Sequence, residues 1–286
     1  MIGPDVGLRV GMPGAFTRLD LEAALNELLA AGDFDGVGLH VGQLGPGVES
    51  VAVGERHAEA AGELVRSRGL VVSTLNVTGD FTFDPFGGQE AMERSVAMLA
   101  FQLRMAAAMG APRVMTWDAV TDDVESAPAL FAECVERGRK QSGLSEPPPL
   151  TVELHPFTFA LRHRRVEELG QAMERIGDAS FCWDFAHCAI ALGAAFLGQL
   201  PAGFVDRVGE VHYCDSDGLT SELHVPPGDG LLDLAALEQA LAGRAVPLLW
   251  DLFSWPAPRD AIRRAWMTYA GAVDRHRASF APADVR

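Results

Sequence analysis

Short apolar runs of strand length alternate with helix-spaced segments through the whole chain, and this alternation limits the fold more than any other feature of the sequence. Strand-like runs fall at 6–10, 37–41, 70–77, 113–118, 150–155, 181–184, 208–213 and 247–251. After them come stretches with apolar residues three and four apart, at 19–31, 53–68, 90–109, 127–143, 166–176, 189–200, 232–241 and 259–275. A strand followed by a helix, repeated in this way, predicts an α/β architecture with parallel strands, and the number of repeats is that of a (β/α)8 barrel. No shift in composition interrupts the series, so one barrel domain over 1–286 is expected. The rival is an open doubly wound sheet. It would carry a glycine-rich fingerprint after the first strand, and Gly11-Met12-Pro13-Gly14 does not match one.

Four of the runs end on residues that a dry core rejects. Leu150-Thr151-Val152-Glu153-Leu154-His155 places a carboxylate and an imidazole at i and i+2, on one face of a strand. The run at 181–184 ends on Asp184, with His187 three residues on; the run at 208–213 carries His212 and leads to Asp215; the last run ends on Asp251. Strand ends converge on one face of a barrel, so Glu153, Asp184, His212 and Asp251 would meet there. Three carboxylates packed together raise one another's pKa, and a cation relieves that repulsion. The donor set suits Mn²⁺, Mg²⁺ or Co²⁺ and also accommodates Zn²⁺. Separately solvated or salt-bridged rim residues are the plainer alternative.

The loop containing Phe81, Phe83 and Phe86 would either cover such a site or tuck against the body of the protein. Trp117, at a strand end, and His40, near the end of the second strand, are candidates for its wall, with packing roles as the alternative. The net charge of −16 weighs against a protein that grips a phosphate backbone. Four cysteines without a CxxC pair argue against a disulfide framework and for a cytoplasmic setting. Neither a leader-like N-terminus nor an apolar run of membrane-spanning length is expected. A homo-oligomer, in which a neighbour completes an apolar lid, stays open.

The series Val152-Glu153-Leu154-His155, Trp183-Asp184-Phe185-Ala186-His187, Val211-His212-Tyr213-Cys214-Asp215 and Asp251 resembles the strand-end motifs of the xylose isomerase-like TIM-barrel superfamily. That group includes sugar isomerases and epimerases, inositol catabolic enzymes and metal-dependent apurinic endonucleases. The resemblance covers essentially the whole chain. It implies that Glu153, Asp184, His212 and Asp251 bind one metal, Mn²⁺ foremost, that Glu153 and Asp251 flank the reacting carbon, and that His187 contacts a substrate oxygen. The last position is Glu in the isomerase and epimerase branch, so Asp251 is one methylene short. That weakens a two-base epimerisation and leaves a one-base isomerisation or a β-elimination open. Pro227-Gly228-Asp229-Gly230 matches the family's Pro-Gly-x-Gly turn. The endonucleases place an Asp-x-His pair just before a Gly-x-Gly; Glu222 and His224 are spaced like it and, with His155 and Asp215, are candidates for a second metal or for substrate.

The implied activity is a divalent-metal-dependent isomerase or epimerase of a small polyhydroxylated compound: a sugar, sugar derivative or cyclitol. A metal-dependent lyase or dehydratase is the alternative. A ligand-binding barrel without catalysis and an endonuclease-like phosphodiesterase stand further back, the latter because the first half offers only His40 and His57 as additional metal histidines.

Overall fold

The computed structural model describes residues 8–12, 21–41, 51–77, 84–117, 123, 125–153, 169–170, 173–174, 176–218, 224–251 and 259–280. Its eight strands close into a parallel barrel in sequence order: β1 (Arg9–Gly11), β2 (Gly36–His40), β3 (Val71–Val77), β4 (Val114–Trp117), β5 (Leu150–Glu153), β6 (Ser180–Asp184), β7 (Val208–Tyr213) and β8 (Leu248–Trp250). The last strand pairs with the first, Val10 opposite Leu249. Around the barrel run α1 (Leu21–Ala31), α2 (Val51–Ser67), α3 (Gln89–Met109), α4 (Ala127–Ser142), α5 (Phe185–Leu192), α6 (Leu234–Ala240) and α7 (Arg259–Ala278). This is the (β/α)8 barrel that the alternation predicts. The helix expected at 166–176 lies mostly outside the described residues.

Period-two alternation divides each strand between two cores. Val152, Trp183, Val211 and Leu248 belong to the large apolar layer between sheet and helices. There Trp183 packs edge-on against Phe185, Phe196 and Phe204. A second, small cluster of Val10, Met12 and Leu249 fills the opposite, inner side near β1. Gly38 is needed beside it, since a Cβ there would stand 2.6 Å from Leu249 and 2.9 Å from Asn76. On β5 to β7 the inner positions are mostly polar: Thr151, Glu153, Cys182, Asp184, Glu210 and His212 alternate with the outward apolar residues.

At the seam where β1 pairs with β8, one side-chain hydroxyl joins the backbone pairing. Tyr269 of α7 is buried, and its oxygen accepts the Val10 N–H at 2.7 Å. It also lies 2.7 Å from the Leu248 carbonyl and 2.9 Å from the Val10 carbonyl, to one of which it donates. The ring stacks on Trp250 with centroids 5.6 Å apart.

One helix departs from expectation. The sequence places a helix at 189–200, whereas α5 starts at Phe185 and ends at Leu192, followed by a 3-10 turn at Phe196–Gln199. The cause is Asp184, whose extended backbone and side chain form an N-cap: its Oδ1 accepts the His187 N–H at 2.8 Å. The capped helix follows the strand without a linker.

Candidate metal centre

Glu153 ends β5, Asp184 ends β6, His212 lies on β7 and Asp251 immediately follows β8, so four successive strands deliver them to one face of the barrel. All four are buried. His212 Nδ1 lies 2.8 Å from Glu153 Oε1, 3.3 Å from Asp251 Oδ2 and 3.6 Å from Asp184 Oδ2. None of these approaches is aligned as a hydrogen bond: His212 Nδ1, Asp184 Oδ2 and Asp251 Oδ1 have no such partner among the described residues. Buried donor atoms converging in this way, without pairing one another, fit a cation in their midst.

Two further imidazoles close in. His224 has Nδ1 3.2 Å from Asp251 Oδ2 and Nε2 3.5 Å from Asp184 Oδ2. His187, on the first turn of α5, has Nδ1 3.8 Å from both Glu153 Oε1 and Asp184 Oδ2, and its Nε2 is 3.2 Å from that of His224. Among the described residues three groups could hold an ion: Asp184, His212 and Asp251; Asp184, His187 and His224; and Glu153, Cys182 and His212.

The electrostatics follow from this crowding. Burial alone would raise the Glu153 carboxyl, but His212 and His187 hold it below the ordinary range. Asp184 and Asp251 are likewise lowered against burial, the first by His187 and His224, the second by His224 and His212. Burial opposes charging His212, yet the carboxylates of Glu153, Asp184 and Asp251 push it well above the usual imidazole value. His224 is raised to about 9, Asp251 and Asp184 outweighing burial. His40, buried and facing Asp251 and Glu153, goes the other way, to about 4, because burial dominates there. Without an ion, protonated imidazoles offset the carboxylates; a divalent ion would take over that charge.

Other expected residues find different places. The Trp117 indole N–H donates to Glu153 Oε2, so this ring both flanks the site and orients the carboxylate. Asp215 anchors a loop: its Oδ1 accepts from the N–H groups of Ser216 (2.8 Å) and Leu232 (3.1 Å), and its Oδ2 from those of Gly228 (3.0 Å) and Gly230 (3.1 Å). Phe86 packs against the outer core, and its N–H bonds Asp84. His155, Glu222, Phe81 and Phe83 lie outside the described residues. The residues that sequence reasoning missed are Cys182 and Glu210. Each stands two positions before a residue of the cluster on the same strand, so the same-face rule applied to Glu153 and His155 also points to them.

The sequence profile described as "Xylose isomerase-like TIM barrel" matches residues 25–265. No curated protein matches the sequence significantly. Among solved structures, a xylose isomerase domain protein from Alicyclobacillus acidocaldarius is 21% identical, with a TM-score of 0.63 over 93% of this chain and 99% of its own. Endonuclease IV from Thermus thermophilus is 20% identical, with a TM-score of 0.60 over 93% and 99%. A 3-keto-D-glucoside 4-epimerase from E. coli is 16% identical, with a TM-score of 0.64 over 92% and 99%. At these identities the structural likeness is one of fold.

Proposed function

This chain belongs to the xylose isomerase-like TIM-barrel family, and from that premise we propose that it is a divalent-metal-dependent isomerase or epimerase of a sugar, sugar derivative or cyclitol. The observation that carries the reading is the convergence of the buried Glu153, Asp184 and Asp251 carboxylates on His212 Nδ1, at 2.8 to 3.6 Å, from four consecutive strands. Those four residues would hold the ion, with Mn²⁺ the preferred occupant of a mixed carboxylate and imidazole set. Bound there, the ion supplies Lewis-acid stabilisation of the negative charge that grows on a substrate oxygen as the neighbouring carbon loses its proton.

The protein's own groups do the rest. Glu153, held in orientation by the Trp117 N–H at Oε2, takes the proton and returns it at the adjacent carbon in an isomerisation, whereas in an epimerisation a water would deliver a proton to the opposite face. His187 and His224 stand at the edge of the cluster as donors to substrate oxygen. Asp251 is drawn toward His212 and His224 and serves as a ligand rather than as a second base. That placement also favours a second reading, β-elimination, which needs one carboxylate base and a proton-bearing acid; His224 would be the acid. Nucleic acid is not among the partners proposed, given the net charge of −16.

Elemental analysis of protein purified without chelator should find about one divalent ion per chain, and Asp184→Asn should lose it. Incubation of the metal-loaded protein with a panel of ketoses, aldoses and inososes in D₂O should place deuterium on carbon in recovered substrate or product. An ion-free protein that still binds none after Mn²⁺, Co²⁺, Mg²⁺ or Zn²⁺ is supplied would defeat the reading. Loss of water with a new ultraviolet chromophore would move it to the elimination.

A further inference from the structure

Beneath the cluster, β7 carries a second buried carboxylate. Glu210 is fully buried, two residues before His212 and on the same inward face. Neither of its oxygens has an aligned hydrogen-bond donor among the described residues. Its nearest charged neighbours are His212 Nε2, 3.4 Å from Oε1, and Arg113 Nε, 3.9 Å from Oε2. A carboxylate taken wholly out of water is strongly disfavoured unless another group compensates it. Arg113 supplies countercharge from below, at a separation longer than a hydrogen bond. The group within reach of a proton is the His212 ring.

The two nitrogens of that ring face different neighbours. Nδ1 faces Glu153, Asp184 and Asp251, and Nε2 faces Glu210. A neutral imidazole offers one lone pair and one N–H, and the partner of the N–H decides which nitrogen is left for a metal. We propose that Glu210 is a positioning residue that accepts the His212 Nε2–H and so reserves Nδ1 for the cation. The inference rests on the metal-binding reading of the site and assigns a role to a residue outside its ligand set. Cys182, opposite Glu210 across the β6–β7 register, also adjoins His212. Sulfur is a far weaker hydrogen-bond acceptor than a carboxylate oxygen.

The test is Zn²⁺ affinity by chelator competition for the wild type, Glu210→Gln and Glu210→Leu, with ¹⁵N-histidine NMR of the Zn²⁺-loaded wild type. Loss of a carboxylate that orients a metal-bound histidine typically costs 10–100-fold in affinity. Glu210→Leu should therefore fall by about that factor, and Glu210→Gln, which keeps an acceptor oxygen, should recover part of it. His212 should appear with Nδ1 on the metal and the proton on Nε2. Equal affinity in a folded Glu210→Leu, or a metal on Nε2, overturns the proposal. If Glu210→Leu does not fold, the wild-type spectrum alone decides. A wild type that binds no Zn²⁺ would instead defeat the metal reading itself, and the two failures are therefore distinct.

Discussion

An imidazole set among carboxylates couples the fold to pH, and His224 makes the coupling measurable. Its folded value is raised to about 9, above an unfolded value near 6.5. A group so raised contributes stability that is fully present below about pH 6.5 and is lost as pH climbs through 9. His212, raised as well, acts with the same sign. Metal-free protein should therefore melt at progressively lower temperature between pH 6.5 and 9 in thermal scans followed by circular dichroism. A saturating divalent ion should flatten that decline, since it takes over the charge the protons supplied. An unchanged melting temperature across this window would contradict the assigned environment. At this scale the sequence was informative for a physical reason: Glu153, Asp184, His212 and Asp251 are polar residues closing apolar runs, a pattern that local reading detects. Cys182 and Glu210 sit inside their runs, where a thiol passes for core and a Glu is missed by a reading confined to strand ends.

The loop between β7 and α6 shows what one carboxylate can organise. Asp215 gathers four backbone N–H groups, and its own backbone pairs with Val225 in a short antiparallel bridge, N–H to carbonyl at 2.8 and 3.1 Å. That bridge sets the adjacent His224 beside Asp184 and Asp251. Gly230 passes so close that a Cβ would fall 2.2 Å from Asp215 Oδ1. Asp215→Ala would leave four donors without their acceptor and is expected to cost on the order of 3–5 kcal/mol in urea unfolding. It should also weaken metal binding, because His224 loses its seat. If stability and affinity both stay at wild-type values, the clamp has no such role. Its Asp-to-backbone links span up to 17 residues, and for that reason the sequence offered Asp215 only as a candidate ligand. Helix α5 was misplaced for a related reason: Asp184 reads equally as the end of a strand and as a helix cap, and here it is both.

At the scale of the molecule, alternation foretold the barrel, whereas its closure depends on partners far apart in sequence. Tyr269 reaches Val10 across 259 positions and Leu248 across 21. Tyr269→Phe keeps the stacking on Trp250 but deprives the buried Val10 N–H of its acceptor, an expected loss of about 1–3 kcal/mol by chemical denaturation. A loss below a few tenths would show that β1 and β8 are held together without it. The order in which the strands run has another consequence. The four proposed ligands belong to β5 and the strands after it, and the last of them, Asp251, follows the final strand. A chain emerging from the ribosome lays down the first half of its sheet before any of the four has been made. The complete set of four exists only after all eight strands have been made. An ion held by all four residues would therefore join a chain in which every strand of the barrel has already been made, and the first half of the sheet contributes none of its proposed ligands.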